Sequence, residues 1–279
     1  MANRANMGWL LANMKDHEHA IAGSATGVGP SPDVWSDCPL LPIMLDPSKG
    51  FVFWDDFLKL STYANGTLHD GILLTQATGG TAAVDSTVPG GILSVAAAGT
   101  TVDQGPTVSF PSVQCEPAED TTIWMEWRVL LNVGGGQCFM GLCDDSTTSV
   151  VDSDDAITAD KDLVGFFRDA GTGDTDWSVG VCDGSSSEES DDEVVAASET
   201  AYEKFAIVLR GIGAVNGSRA EFYHNGSLVH VISDEDDLPL LLMCPTFQFH
   251  GDGTDQPTCK FDWLRVAVYH AQGTCREGA

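Results

Sequence analysis

Three stretches of this sequence carry residue types that can do chemistry. The first is WMEWRV, residues 124–129, where Glu126 and Arg128 stand two positions apart. A carboxylate is a general acid or base, but retaining sugar hydrolases need a pair of them about 5 Å apart. The one-strand form of that pair, E-x-D-x-x-E, is absent, so Glu126 is expected to form a structural ion pair with Arg128. The second stretch is DDSTTSVVDSDDAITADKD, residues 144–162. It is rich in the hard oxygen ligands that calcium takes, yet it lacks the D-x-D-x-D-G loop with a Glu at the twelfth place. A solvated acidic loop is the expectation; calcium is not favoured, and no cofactor is assigned. The third is Trp177, just after the turn GTGDTD. It is the best candidate for an exposed ring on which a sugar could stack, since the other strand tryptophans (Trp54, Trp127, Trp263) read as core.

Serine and histidine chemistry finds no partner set. No G-x-S-x-G elbow occurs. His17 and His19 flank Glu18, but residues two apart do not share a helix face. His224 and His230 flank a turn, while His250 and His270 end apolar runs. No catalytic residue and no metal ligand is assigned, and the chain is not expected to be an enzyme.

Charge narrows the partners. Forty-one acidic against 13 basic residues give a formal charge of −28. Nucleic-acid affinity comes mainly from Lys and Arg on phosphate, so nucleic acid is excluded as a partner. An anionic membrane surface is excluded for the same reason, and no apolar run approaches the roughly 20 residues that span a bilayer. Such a charge favours solubility and confines association to specific patches. The eight cysteines include no CxxC, which argues against structural zinc. The start of the chain carries no secretory signal pattern. Buried free thiols are therefore favoured over disulfides, because a free Cys packs as a small hydrophobe.

These side chains must be positioned by something, and after residue 50 the pattern is one of strands. IWMEWRVLLNV, residues 123–133, alternates cleanly: Ile123, Met125, Trp127, Val129 and Leu131 on one face, Glu126 and Arg128 on the other. FVFWDDF (51–57), CFMGLCD (138–144), LVGFFRD (163–169), WSVGVCD (177–183), KFAIVLRGI (204–212) and KFDWLRVAVYH (260–270) are further strands. In EFYHNGSLVHVI, residues 221–232, Asn225-Gly226 is the strongest short signal for a type I′ hairpin, since both turn positions need φ > 0. Its register should turn Phe222 or Tyr223 inward. About a dozen strands at regular spacing make the fold class all-β: a two-sheet antiparallel jelly-roll sandwich. Its core is expected to hold Phe53, Phe57, Met125, Trp127, Val129, Phe139, Phe166, Ile207, Leu209, Phe222, Phe249 and Val266. The acidic middle, residues 144–199, has 17 Asp and Glu against Lys161 and Arg168; its densest part, SSSEESDDE (185–193), reads as a solvated loop.

Ahead of the sandwich, residues 1–20 read as a short amphipathic helix with Trp9, Leu10 and Met14 on its apolar patch. Residues 20–50 are rich in Gly, Ser and Pro and read as an extended arm. Val34, Trp35, Leu40, Leu41, Ile43 and Met44 recur along it, so the arm should lie on something, either its own domain or a neighbouring subunit. The expected division is 1–48 helix and docking arm, 49–271 sandwich, 272–279 tail.

FVFWDDF, GLCDDS, LVGFFRD, AEFYHNGSLV and FDWLRVAV, in this order and spacing, resemble the concanavalin-like (laminin-G-like) jelly-roll virion proteins of tailed bacteriophages. The positions that carry the resemblance are Trp124, Glu126 and Arg128; Gly141, Leu142 and Asp144; Gly165, Phe166 and Asp169; Phe222, Tyr223, Asn225, Gly226, Leu228 and Val229; and Asp262, Leu264, Arg265 and Val266. It covers about residues 51–269, and this chain departs from it in its eight cysteines and enlarged acidic loops. The resemblance implies a non-enzymatic capsid decoration (cement) protein on the exterior of a virion, assembled in the host cytoplasm. It would be homo-oligomeric and bound to the major capsid protein or another virion protein. Trp9, Leu10, Met14, Val34, Trp35, Leu40, Leu41, Ile43 and Met44 are then the expected docking residues. The alternative is a carbohydrate-binding module of a head or tail fibre, stacking sugar on Trp177.

Overall fold

Period-two alternation, sustained over strands of up to 13 residues, organises the computed structural model of the chain. It describes residues 29–57, 62–63, 68–69, 71–76, 80–84, 91–97, 105–132, 136–144, 150, 157, 160–169, 176–185, 187–211, 217–251 and 257–271. Two sheets result. Sheet A contains β1 (Gly50–Asp55), β2 (Thr62–Tyr63), β5 (Thr81–Val84), β6 (Leu93–Ala96), β8 (Thr121–Asn132), β13 (Glu203–Arg210), β14 (Arg219–His224), β15 (Ser227–Ile232) and β17 (Thr258–His270). Sheet B contains β3 (Leu68–His69), β4 (Ile72–Gln76), β7 (Pro106–Ser109), β9 (Gln137–Cys143), β10 (Asp162–Asp169), β11 (Asp176–Asp183), β12 (Ser187–Ala196) and β16 (Cys244–His250). Sheet A runs β15-β14-β13-β8-β17-β6-β5-β2, and sheet B runs β12-β11-β10-β9-β16-β7-β4-β3. The long β17 has β8 along one side; on the other it pairs first with β6 and then with β1. All these pairings are antiparallel, as a jelly-roll sandwich requires.

The two inner faces meet over aromatic rings. Trp127 stacks on Phe205 at 6.0 Å and meets Phe166 and Phe247 edge-on at 6.0 and 5.8 Å. Such contacts add to area burial because each ring edge meets a π face. The expected core residues are there, with two differences. Phe53 is only partly buried against the core, and Phe139 faces away from it into a separate cluster. In the hairpin, Asn225 and Gly226 have φ of 50° and 82°, so the type I′ turn is realised. Asn225 also ties the turn to β13: its N–H donates to the Lys204 carbonyl at 2.7 Å, and its Oδ1 accepts from the Lys204 N–H at 3.0 Å. Phe222 is the inward ring, and Tyr223 turns outward.

Two expectations are corrected. Most of SSSEESDDE lies in an edge strand, β12, laddered onto β11, and not in a loop. Strand pairing there comes from backbone groups, which hydrophobic pattern does not report, and charge on an edge strand blunts further pairing. The described part of the arm is not extended either. Residues 32–45 form two short helices, α1 (Pro32–Trp35) and α2 (Leu40–Leu45), followed by a 3₁₀ turn at Pro47–Lys49. Pro32 opens α1, the one helical position where its missing N–H costs nothing. Residues 1–28, with Trp9, Leu10 and Met14, and the tail 272–279 lie outside the described residues. Seven cysteines (38, 115, 138, 143, 182, 244 and 259) are free thiols, and burial pushes Cys38 up to about 12.

Phe166 touches rings from Trp127, Phe205 and Phe222. Phe166→Ala should cost about 3–5 kcal/mol, read as a lower denaturant midpoint at unchanged slope. A loss below 1 kcal/mol would mean the two sheets are not held by this cluster.

Candidate functional site

The outer face of sheet A is the most elaborated surface among the described residues. Because β8 alternates, the inward set leaves Trp124, Glu126 and Arg128 pointing out, and register lines them up with their neighbours. One row across the strands reads Trp54, Arg265, Glu126, Ala206, Tyr223. The row beside it reads Val52, Ala267, Trp124, Val208, Glu221. On the other side stand Trp263, Arg128 and Lys204.

The segment 29–49 lies over this face as a strap. Val34 and Ile43 pack on Trp124, Ala206, Val208 and Ala267, with Trp35, Cys38 and Leu40 at the rim. Polar bonds pin it at several points. Both oxygens of Glu126 accept from the Ser31 N–H, at 3.0 and 3.1 Å, and Oε2 also accepts from Trp35 Nε1 at 2.5 Å. Asp37 accepts from Trp124 Nε1 at 3.1 Å and pairs with Arg210 at 2.8 Å. Lys204 donates to the Gly29 carbonyl at 3.3 Å. Gly226 lies under the strap too, since a Cβ there would sit 3.2 Å from Ser31.

This corrects the expected Glu126–Arg128 pair. A β-bulge in β17 between Phe261 and Trp263 swings Asp262 out, and Asp262 takes Arg128 at 2.5 Å in a fully buried ion pair. Arg128 also lies 4.3 Å from the centre of the Tyr202 ring. Glu126 is left to the strap. Burial pushes its pKa above the usual carboxylate value, against the pull of Ser31, Trp35 and Lys204. Burial also lowers Lys204, partly offset by Glu126. Nearer one end, Glu221 has burial acting against ionisation, but Arg210 and Arg219 outweigh it and hold the group low. A carboxylate whose lone pairs are filled by backbone and indole donors is a structural acceptor, not an acid–base catalyst.

The outer face of sheet B is covered as well. Phe139, Cys143, Leu163, Phe167 and Cys182 pack with Val150 and Ile157. Those two come from the stretch expected to be a solvated loop, and Val150 N–H donates to Gln248 Oε1 at 2.7 Å. The rest of 145–159 lies outside the described residues. His250 is nearly buried at the end of β16, and burial depresses its pKa to about 4. Among the described residues, no group of three or more His, Cys, Asp or Glu is placed to hold a metal. No helix among them is long and apolar enough to cross a membrane.

The expected site residues are scattered by these constraints. Trp177 is fully buried: it shares the inward parity of Val179 and Val181 and packs on Phe205 at 5.2 Å, so no sugar can stack on it. Val34 and Ile43 are consumed by the strap's own packing, and Trp35 by Glu126. Leu41 and Met44, together with Leu45, remain exposed on α2. Reading residues as core hid Trp54, which is 42% exposed beside Arg265. Its signal was parity: Phe51 and Phe53 turn inward, so Trp54 must face out.

No protein-family model and no curated protein matches this chain. Solved structures do resemble it. A protein of unknown function from Shewanella oneidensis MR-1 aligns with TM-score 0.53 at 9% identity, over 83% of this chain and 90% of that one. An uncharacterised protein from Mycobacterium paratuberculosis aligns with TM-score 0.50 at 13% identity, over 77% and 99%. Lectin II from Ulex europaeus aligns with TM-score 0.49 at 11% identity, over 79% and 99%. At these identities the likeness is one of fold alone: an antiparallel two-sheet β-sandwich.

Two pH effects follow. The folded pKa of Glu126 lies above its unfolded value, so its contribution is full below about 4.5 and is lost as pH rises through the folded value. Glu126→Gln keeps an acceptor without the charge, so its stability relative to wild type should improve between pH 4 and 7; a pH-independent difference would refute the assignment. His250 runs the other way. Its folded pKa is below the unfolded value, so stability falls as pH drops from 6.5 towards 4. At about 1.4 kcal/mol per unit the full effect is about 3 kcal/mol, and His250→Gln should flatten that slope in urea melts.

Proposed function

We propose that the chain is a non-enzymatic structural protein of a phage-like particle. It decorates the capsid exterior and docks on the major capsid protein or another shell protein through the α2 ridge of the strap. The observation that carries this reading is the ridge itself. Leu41, Met44 and Leu45 project from a rigidly pinned segment of a protein whose formal charge is −28. Exposed apolar groups on a strongly charged surface mark specific contact sites. Leu240, Leu241 and Leu242 form a second such patch, on a loop whose Leu240 and Leu241 N–H groups donate to buried Asp162. Coverage of the central outer faces supports a binding role over catalysis, because a reaction needs a cleft that excludes water around converging groups. Docking by a pre-folded strap avoids the ordering cost of a flexible arm. Oligomerisation on the particle follows from the same ridge if each copy meets both the shell and a sister copy.

The test is location. Mass spectrometry of purified particles should find the chain at a fixed copy number. The triple variant Leu41→Asp, Met44→Asp, Leu45→Asp should keep the wild-type melting temperature within a few degrees and fall at least tenfold in particle incorporation. Full incorporation of the folded variant would overturn the ridge as the docking surface.

A further inference from the structure

Beside the strap, the edge of the outer face of sheet A holds an arrangement that neither packing nor docking explains. Trp54 and Arg265 are direct cross-strand partners, and Trp263 stands two residues before Arg265 on the outward side of the bulge. The Arg265 guanidinium carbon lies 5.5 Å from the centre of the Trp54 ring and 5.0 Å from that of Trp263. Contacts of this kind hold a cation and a ring in fixed relative positions. Trp263 is buried beneath, while Trp54 keeps much of its surface open to solvent.

Among the described residues Arg265 has no other partner. Its five N–H donors make no hydrogen bond or ion pair with any described side chain. The acids that surround it are largely spent: Asp262 is bonded to Arg128, and Glu126 to Ser31 and Trp35. These two and Asp56 give Arg265 a negative background and no hydrogen bond. A partly buried guanidinium whose contacts are ring faces, and whose nitrogens still reach solvent, keeps donors open to a ligand. What completes it is a planar carboxylate, which matches the fork of the guanidinium with two parallel bonds.

We propose that Trp54 and Arg265 form a binding site for a pyranose ring bearing a carboxylate, a sugar of the uronic-acid class. The C–H face of the ring stacks on the open side of the Trp54 indole. Its carboxylate accepts from the Arg265 N–H edge. The distant part of the chain's negative charge does not forbid this, because charges beyond about 8 Å are screened at physiological salt; Glu126, Asp56 and Asp262 act at close range and weaken the pair. It does set a limit: a polymer with a carboxylate on every ring accumulates repulsion along the surface, so a single acidic ring at a glycan end fits best. The site is independent of the docking ridge, and its test uses the purified protein alone.

The experiment titrates the full chain with three tetrasaccharides: one ending in glucuronic acid, its methyl ester, and the neutral glucose analogue. Tryptophan fluorescence and calorimetry follow binding. The acid should bind saturably, and the ester and the neutral sugar at least tenfold more weakly, as loss of a charge-assisted pair predicts. Trp54→Ala and Arg265→Gln should each abolish binding, while Trp54→Tyr, which keeps a stacking ring, should hold it within several-fold. Leu241→Ser, in the distant leucine patch, should leave it unchanged. Three outcomes overturn the proposal: no saturable binding by a folded wild-type chain, equal affinity for acid and ester, or Trp54-dependent self-association in sedimentation without sugar binding. The last would make this edge a protein contact.

Discussion

Burying both faces of β8 is the constraint from which the rest follows. Its inward face supplies Met125 and Trp127 to the sandwich core, as any central strand does. Its outward face carries Trp124, Glu126 and Arg128, which are as fully buried as the core. A carboxylate and a guanidinium out of water cost several kcal/mol each unless partners are supplied. Arg128 gets Asp262 from a bulge. Glu126 gets the Ser31 amide and the Trp35 indole from 91 to 95 residues away in sequence. The strap is therefore part of the folded unit rather than a loose leader.

That dependence shapes what the surface can offer. Where the strap crosses, Val34 and Ile43 are locked, and the large apolar groups it leaves to solvent are Leu41, Met44 and Leu45 on α2. Beside it, Trp54 is exposed and Arg265 is partly buried. Sheet B repeats the theme with different chemistry, since Val150 and Ile157 pack on a cluster of Phe, Leu and Cys. The apolar ridge and the stacked guanidinium are thus both consequences of how far each cover reaches.

Much of this was legible in the chain. Alternation in residues 123–131 placed Ile123, Met125, Trp127, Val129 and Leu131 on one face and Glu126 and Arg128 on the other, and Asn225-Gly226 located the hairpin, because both signals are local and steric. The Glu126 environment was not legible. Proximity in sequence suggested Arg128, but two same-face neighbours on a strand are about 7 Å apart; the bulge instead gives Arg128 the Asp262 carboxylate as acceptor, and the returning strap gives Glu126 the Ser31 and Trp35 donors. Trp177 misled for a related reason: an acidic turn before it suggested exposure, yet parity with Val179 and Val181 decided its direction.

By itself the sequence determined the fold class, the strand faces, the hairpin and the repulsive net charge, since each depends on neighbours a few residues apart or on simple sums. Only the tertiary structure decided which outward residues are covered. That choice depends on where a distant segment lands and how long it is. Alternation tells a side chain which way to point, but not what will be waiting on that side.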